Sequence, residues 1–588
     1  SQGLTIHQTW ELMMGGNRNT SDAQLKFLLQ VLQATADSNG DAQVVYPLLA
    51  DNTDKINPRL AELFRDWATT KLAEVKPDEA ENIAAVIVEF SNLIQQFPLG
   101  DKASNSSIAI TGYEVALTVF TREAFPEYWA TTQHNLGIAY LHRITGQKGQ
   151  NLEEAIACLQ LALAVFTRED FPEQWAMTQN NLGIAYSERI TGEKAQNLEN
   201  AIACYELALE VRTSQAFPEQ WATTQHNLGS AYRNRITGQK AQNLEDAIAC
   251  YQLALEVRTR KAFPYDWAST QNNLGIAYRN RITGQKAQNL EQAIACYQLA
   301  LEVRTSQAFP EQWAMTQNNL GIAYSDRITG QKAQNQEEAI ACYQLALAVY
   351  TREAFPEQWA MAQFNLGRAY GNRITGPKAQ NLENAIPCFQ LALEVHTRDA
   401  FPVDWASTQK NLGRAYYYRI TGEKRQNIEN AIACYQLALE VHTREAFPID
   451  WASTQFNLGI TYRNRITGQK AQNLEKAIAC YQLALEVRTS QAFPEKWAST
   501  QNNLGNAYYE RIKGPKAQNI EEAIACYQQA LRVYTFKAFP IDWAETKYNL
   551  SIAYRNRIKG EKAQNIELAK AYFQEALKVR TFEDSTQD

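Results

Sequence analysis

From residue 125 onward Phe-Pro occurs at 125, 171, 217, 263, 309, 355, 401, 447, 493 and 539, always 46 residues apart, and a Trp follows four residues after each of these Phe, from Trp129 to Trp543. No other property constrains the fold as strongly. A unit this short cannot enclose a core alone, so its neighbours must cover it and the product is a stacked array. Ten of the 12 tryptophans and all 9 cysteines, Cys158 to Cys526, belong to the repeat. A length of 588 residues, which would suit roughly three or four domains, therefore describes a single array.

One unit runs from Phe171 to Ala216. Proline suits the first position of a helix and forces the residue before it out of the helical region, so helix A is predicted to begin at Pro172. Trp175, Leu182, Ala185 and Tyr186 fall along one stripe, and Gly192 reads as a left-handed cap after Arg189-Ile190-Thr191. Asn197 reads as the N-cap of helix B, with Glu199 at the positive end of its dipole, and both recur in all ten units. Helix B presents Ala201, Ile202, Tyr205, Ala208, Leu209 and Val211 as its buried side. Stepping back one period, residues 84–121 read as a degraded eleventh unit that has lost the helix A signature. Upstream, 22–36, 41–50 and 58–75 read as short amphipathic helices. The tenth unit also departs from the pattern, at Ser551, Lys570 and Tyr572. The expected division is an N-terminal helical region over 1–80, a degenerate capping repeat over 81–124, ten repeats over 125–580 and a polar tail over 581–588.

Few chemistries survive this reading. The net charge is −6, from 57 Lys and Arg against 63 Asp and Glu, which argues against nucleic acid or an anionic membrane as partner. No apolar run approaches a membrane span and no signal sequence opens the chain, so a cytoplasmic protein is expected. The sequence begins at Ser1 rather than Met, which leaves trimming at either end open. The cysteines stand singly on helix B, about 10 Å apart in stacked repeats, too far for disulfides, and read as small buried apolar residues. His396 and His442 replace an Arg304-type residue at the end of helix B, where a polar group is expected to be solvated. No metal cluster, phosphate loop or nucleophile elbow is present, the Gly-Gly at 15 and 16 being too slight to count. The expectation is a non-enzyme without cofactor or metal.

The signature L-G-x-A-Y followed by A-I-x-x-Y-x-x-A-L resembles the tetratricopeptide repeat over about four-fifths of the chain. The usual unit has 34 residues. The surplus of twelve falls in the A–B segment Thr-Gly-Glu-Lys-Ala-Gln and in the B–A connection carrying Phe-Pro, which leaves Trp175 outside the usual Trp position, at the unit interface. The resemblance implies an all-α, right-handed superhelical solenoid of about eleven helix-turn-helix units with a helical cap, whose helices A face a concave groove.

One asparagine of helix A is present in every unit: Asn135, Asn181, Asn227, Asn273, Asn319, Asn365, Asn411, Asn457, Asn503 and Asn549. Asparagine is a mediocre helix former, so its constancy needs a reason. By the resemblance it faces the groove, as a ladder that grips an extended peptide. Rungs about 10 Å apart match three residues of extended chain at about 3.3 Å each. The alternative is that each amide bonds across to the neighbouring repeat. Around the ladder, three adjacent units contribute Phe364, Arg368, Lys410, Arg414, Tyr417, Tyr418, Phe456 and Arg463, an aromatic and basic patch with no acid among those positions, and Pro387 interrupts helix B of the same region. Such a patch would select an acidic or aromatic peptide.

The longer motif FPxxWAxTQNNLGxAYxxRIxGxKAQNLExAIxxY is similar to the repeat arrays of cyanobacterial TPR-CHAT proteins, in which an array precedes a caspase-like protease domain. The N-terminal text resembles theirs as well. No His-Gly and catalytic Cys motif occurs in this sequence. Three functions remain: a scaffold that holds a protein or peptide partner, the sensing arm of such a protease, and a solenoid that self-associates through its ends as a homo-oligomer.

Overall fold

The computed structural model describes residues 22–585. The Gly-Gly pair at 15 and 16, the start of the 1–80 region and the last residues of the 581–588 tail lie outside them. All regular elements among the described residues are helical.

At the N-terminal end, Asp22 caps α1 (Ala23–Ser38) by accepting from the amides of Gln24 and Leu25. Next come α2 (Ala42–Ala50), α3 (Pro58–Glu74), α4 (Pro77–Gln96) and α5 (Lys102–Ala116). Their apolar faces share one core, with Phe27, Leu32, Phe64, Ile87, Phe90 and Tyr113 inside it, and that core continues into Leu136 and Ala139 of the first repeat.

Each repeat then contributes two helices. Contacts divide the chain after Val303 into two units. The first carries α6 (Pro126–Leu141), α7 (Lys148–Leu163), α8 (Pro172–Glu188), α9 (Lys194–Leu209), α10 (Pro218–Asn234), α11 (Lys240–Val257), α12 (Pro264–Asn280) and α13 (Lys286–Leu301). The second carries α14 (Pro310–Asp326), α15 (Lys332–Leu347), α16 (Pro356–Asn372), α17 (Lys378–Leu393), α18 (Pro402–Tyr418), α19 (Lys424–Leu439), α20 (Pro448–Arg463), α21 (Lys470–Leu485), α22 (Pro494–Glu510), α23 (Lys516–Ala530), α24 (Pro540–Arg555) and α25 (Lys562–Ser585). The last helix runs through position 581, so no break in secondary structure marks the expected tail.

Phe-Pro starts helix A as its chemistry demands. Phe171 lies outside the helical region at φ −134° and ψ 60°, Pro172 is the first helical residue, and the Trp175 amide donates to the Phe171 carbonyl at 2.8 Å. Trp175 packs with Ala130, Ala162, Phe166 and Trp129 of the preceding repeat, which places it at the junction of two units. Within each unit the core between repeats is built in one way. Ala201, Ile202 and Tyr205 of α9 close on Leu228, Ala231 and Cys250 of the next repeat, and each such aromatic side chain contributes about 1.5–3 kcal/mol on burial.

The A–B turn departs from expectation. Helix B starts at Lys194, so Lys194, Ala195 and Gln196 are helical and Asn197 is not its N-cap. The Asn197 side chain instead donates to the Thr191 carbonyl at 2.8 Å, tying the turn to the first helical turn. Gly192 does take a left-handed φ of 72°, but it stands within that turn, whereas Arg189 is the residue that ends helix A. Pro387 does not interrupt its helix either: α17 continues through it.

Glu199 and the Arg that closes helix A meet each other rather than helix dipoles. Arg235 Nε and Nη2 each donate to one oxygen of Glu199 at 2.8 Å, and the Thr237 hydroxyl joins the same carboxylate. The fork recurs at Arg189–Glu153, Arg281–Glu245, Arg373–Glu337, Arg419–Glu383, Arg465–Glu429, Arg511–Glu475 and Arg557–Glu521. These two-pronged, half-buried pairs fix one repeat against the next with an orientation that a single charge contact lacks.

Candidate functional site

Helices A of successive repeats touch directly within each unit, and the constant asparagine lies along the helix A layer. Asn365 is buried and the other nine are half-buried. In the first unit the Asn135 amide donates to Asn92 Oδ1 at 2.9 Å and Asn227 to Asn180 Oδ1 at 3.3 Å, while Asn181 and Asn273 meet the Nε2 atoms of His134 and His226 at 3.5 and 3.2 Å. In the second unit Asn365 donates to Asn318 at 3.2 Å and Asn549 to Asn502 at 3.4 Å. Both readings of the asparagine therefore have a structural element: the amides are in reach of the helix A surface, and Asn135, Asn181, Asn227, Asn273, Asn365 and Asn549 also bond to the preceding repeat.

The pattern changes where the patch enters. The residue before the asparagine is His or Asn in most repeats but Phe364, Lys410 and Phe456 in three consecutive ones. None of these three can serve the next repeat as an amide or imidazole partner. Asn411 and Asn503 turn back and donate to their own Ser407 and Ser499 carbonyls, at 2.8 and 2.9 Å. Asn457 lines a recess of 480 Å³ together with Asn411, Ser407, Lys410, Arg368 and Arg414.

The structure brings Phe364, Arg368, Lys410 and Arg414 together around that recess. Tyr418 sits beyond them, beside Arg368 and Arg414 in a second recess of 290 Å³. The Arg368 guanidinium lies over the Phe364 ring, 5.8 Å from its centroid, and Arg414 donates to Asn372. Farther along, Tyr417 accepts from Asn464 at 2.8 Å, and Phe456 carries the Arg488 guanidinium 4.4 Å from its centroid.

The patch is not free of acids in three dimensions. Lys410 pairs with Asp450 at 2.5 Å and Arg463 with Glu510 at 3.0 Å, both from the following repeat, and Asp404 borders the larger recess. Burial works to raise the Asp450 carboxyl, but the hydrogen bond and charge of Lys410 outweigh it and hold the group below its ordinary value. Arg368 and Arg414 are the members of the patch without such a partner.

Other candidate groups are structural. All nine cysteines are buried and unpaired, and burial pushes the Cys204 thiol up to about 12. No group of three His, Cys, Asp or Glu able to hold a metal exists among the described residues, and no described helix is long and apolar enough to cross a membrane. His396 and His442 are buried rather than solvated, at 5% and 0% exposure, because the B–A connection folds the rings of Phe401 and Phe447 over them. Burial holds both imidazoles below their ordinary pKa. The same column buries Arg212 and Arg488, whose guanidinia donate to Thr224 and Thr500.

The Sel1 repeat model matches residues 130–164, 176–210, 222–256, 268–302, 314–348, 360–394, 406–440, 452–486 and 544–578. The chain belongs to the Sel1-repeat family. The one repeat between those segments is matched at 497–534 by a tetratricopeptide repeat model, so the two models between them reach all ten Phe-Pro units. No curated protein matches the sequence. Similar solved structures include the apo form of RapI, at 15% identity and TM-score 0.35, covering 54% of this chain and 99% of that one. Others are the APC/C hetero-tetramer Cut9-Hcn1, at 15% and 0.36 with 97% and 96% covered, and the C-terminal part of a TPR repeat-containing protein from Cytophaga hutchinsonii, at 14% and 0.31 with 53% and 94% covered. Scores of this size carry no inference about function.

Two residues of the Sel1 array at this site escape the sequence reading. Lys378 borders the smaller recess, yet a Lys occupies that position in every repeat and looks like scaffold. Gly371 borders it too, and its signal was available: it is the one glycine in a column otherwise filled by Leu, Ser, Arg or Tyr.

Proposed function

We propose that this Sel1-repeat protein is a non-catalytic interaction scaffold that holds an extended segment of a protein partner along its helix A layer. Repeats of this family typically mediate protein–protein contacts. The observation that carries the finer reading is the change of amide partner at Asn411 and Asn503, from a neighbouring repeat to the residue's own helix. It falls where Phe364, Lys410 and Phe456 line the same face. An amide bonded to its own helix through Nδ2 still offers its carbonyl oxygen to a partner backbone, and the aromatic and cationic side chains beside it are the usual anchors of an interface. Arg368 and Arg414, which form no ion pair with a carboxylate among the described residues, favour an acidic segment.

The test uses the full chain immobilised against a random peptide library. The wild type is expected to retain a subset enriched in acidic and aromatic residues. The N411A/N457A/N503A variant is expected to lose it with its circular dichroism unchanged. Retention that survives the triple substitution refutes the ladder.

A further inference from the structure

The smaller recess, on α16–α18, is bordered by Arg368, Lys378 and Arg414 with Asn411, Tyr418 and Gly371, and no acid lines it. In two other repeats the lysine of this column is neutralised by a carboxylate, and in every other repeat the Gly371 position carries a side chain. Lys148 and Lys470, which correspond to Lys378, face Glu188 and Glu510 at 3.4 and 3.6 Å, whereas Lys378 faces the Tyr418 ring, 4.8 Å from its centroid. The column of Arg368 and Arg414 is Ile, Ser or Asn in every other repeat. The column of Gly371 holds Leu141, Ser187, Arg233, Arg279, Ser325, Tyr417, Arg463, Tyr509 and Arg555, and a Cβ built on Gly371 meets nothing within 4 Å. The recess is therefore open because the side chain that occupies this position in the other repeats is missing, and two cations absent from the other repeats border the opening.

Three positive groups around 290 Å³ repel one another, a cost that an anion between them removes. Two guanidinium forks and an ammonium are matched by a dianion with three terminal oxygens, whereas a single carboxylate leaves a cation unmatched. Arg368, Asn411 and Arg414 also border the larger recess that holds Asn457, so a segment along Asn411 and Asn457 can send a side chain across the shared wall. The geometry points to a subsite for the phosphoryl group of a phosphorylated residue in the partner segment, an inference that rests on the peptide-holding reading above.

Three probes are compared on the full chain: a peptide library with phosphoserine fixed at its centre, the same library with Ser or Glu there, and inorganic phosphate. The phosphoserine library is expected to be retained at least about tenfold better than the Ser library, as charge-assisted hydrogen bonds imply. That preference is expected to vanish in R368A/R414A. It should also vanish in Gly371→Tyr, which fills the recess without changing its charge and with the residue that the next repeat carries at Tyr417, while the circular dichroism stays that of the wild type. Equal retention of the phosphoserine and Ser libraries, with both lost in N411A/N457A/N503A, overturns the phosphoryl subsite and leaves the groove standing. Preference for the Glu library, or a phosphoserine preference that survives Gly371→Tyr, overturns it as well. Inorganic phosphate bound through Arg368 and Arg414 without retention of any peptide overturns this inference and the groove together.

Discussion

Two glycines of helix A give the same substitution opposite signs. A Cβ on Gly183 would lie 2.6 Å from Cε1 and 2.9 Å from Cδ1 and Cζ of Tyr205, where ordinary contact begins near 3.4 Å, so the ring must retreat by about 1 Å. It has nowhere to go: Tyr205 is 2% exposed and is packed in one cluster with Leu228 and Ala231. Overpacking of this kind costs about 1–3 kcal/mol, and replacing glycine in a helix returns up to about 1. Gly183→Ala is therefore expected to destabilise its repeat by about 1–2 kcal/mol. Gly371→Ala, whose Cβ meets nothing, is expected to stabilise by about 0.5–1 kcal/mol. The tenth repeat already carries the tolerant case, since Ser551 stands at the Gly183 position where the matching ring, Phe573, is 42% exposed. Because an array opens repeat by repeat, one melting temperature is a poor reporter. Amide hydrogen exchange resolved to α8 and α9 is the better assay, with exchange through local opening about 5–30-fold faster in Gly183→Ala. If both substitutions slow exchange, close approach of the ring is not why glycine stands at 183.

The Arg–Glu forks carry a pH dependence. The Glu383 carboxyl is held at about 2 against an ordinary 4.5, first by Arg419 and then by Thr421. Its stabilisation is present above the unfolded value and lost as pH falls from about 4.5 towards 2. E383Q is expected to lower the urea midpoint at pH 6 and to match the wild type by pH 2, and a constant difference across that range would contradict the fork. Burial holds the Cys204 and Cys480 thiols near 12 and the Cys388 thiol near 11, so a thiol reagent at pH 8 is expected to modify none of the nine in the native protein and all in denaturant. Rapid native labelling would show that the repeats do not cover helix B.

Phe171, Pro172 and Trp175 were legible because what they do is local: the pyrrolidine ring sets the start of the helix, and the next turn places the Trp on the face that meets a neighbour. Asn197 and Glu199 show where local reasoning stops. Both sit where a cap and a dipole partner belong, and both are used for something else, the Asn to tie down the Thr191 carbonyl and the Glu to grip Arg235. His396 and His442 follow the end of helix B and looked solvated, yet the chain that leads into the next repeat covers them. At the candidate site, column comparison found Arg368 and Arg414, but the acids that neutralise Lys410 and Arg463 come from 40 and 47 residues later.

The sequence by itself determined the ten-fold array, its helix pairs and most of the buried face of each helix, because period and apolar spacing are properties of the chain that packing can only obey; Leu209 and Val211, at and beyond the end of helix B, are only half-buried. The tertiary structure decided which charges are spent. Among basic residues that look alike along the chain, Arg235 and Lys410 are bound to carboxylates of other repeats while Arg368, Lys378 and Arg414 surround an opening without one. That distinction depends on distances between residues tens of positions apart, which only the stacking of one repeat on the next sets.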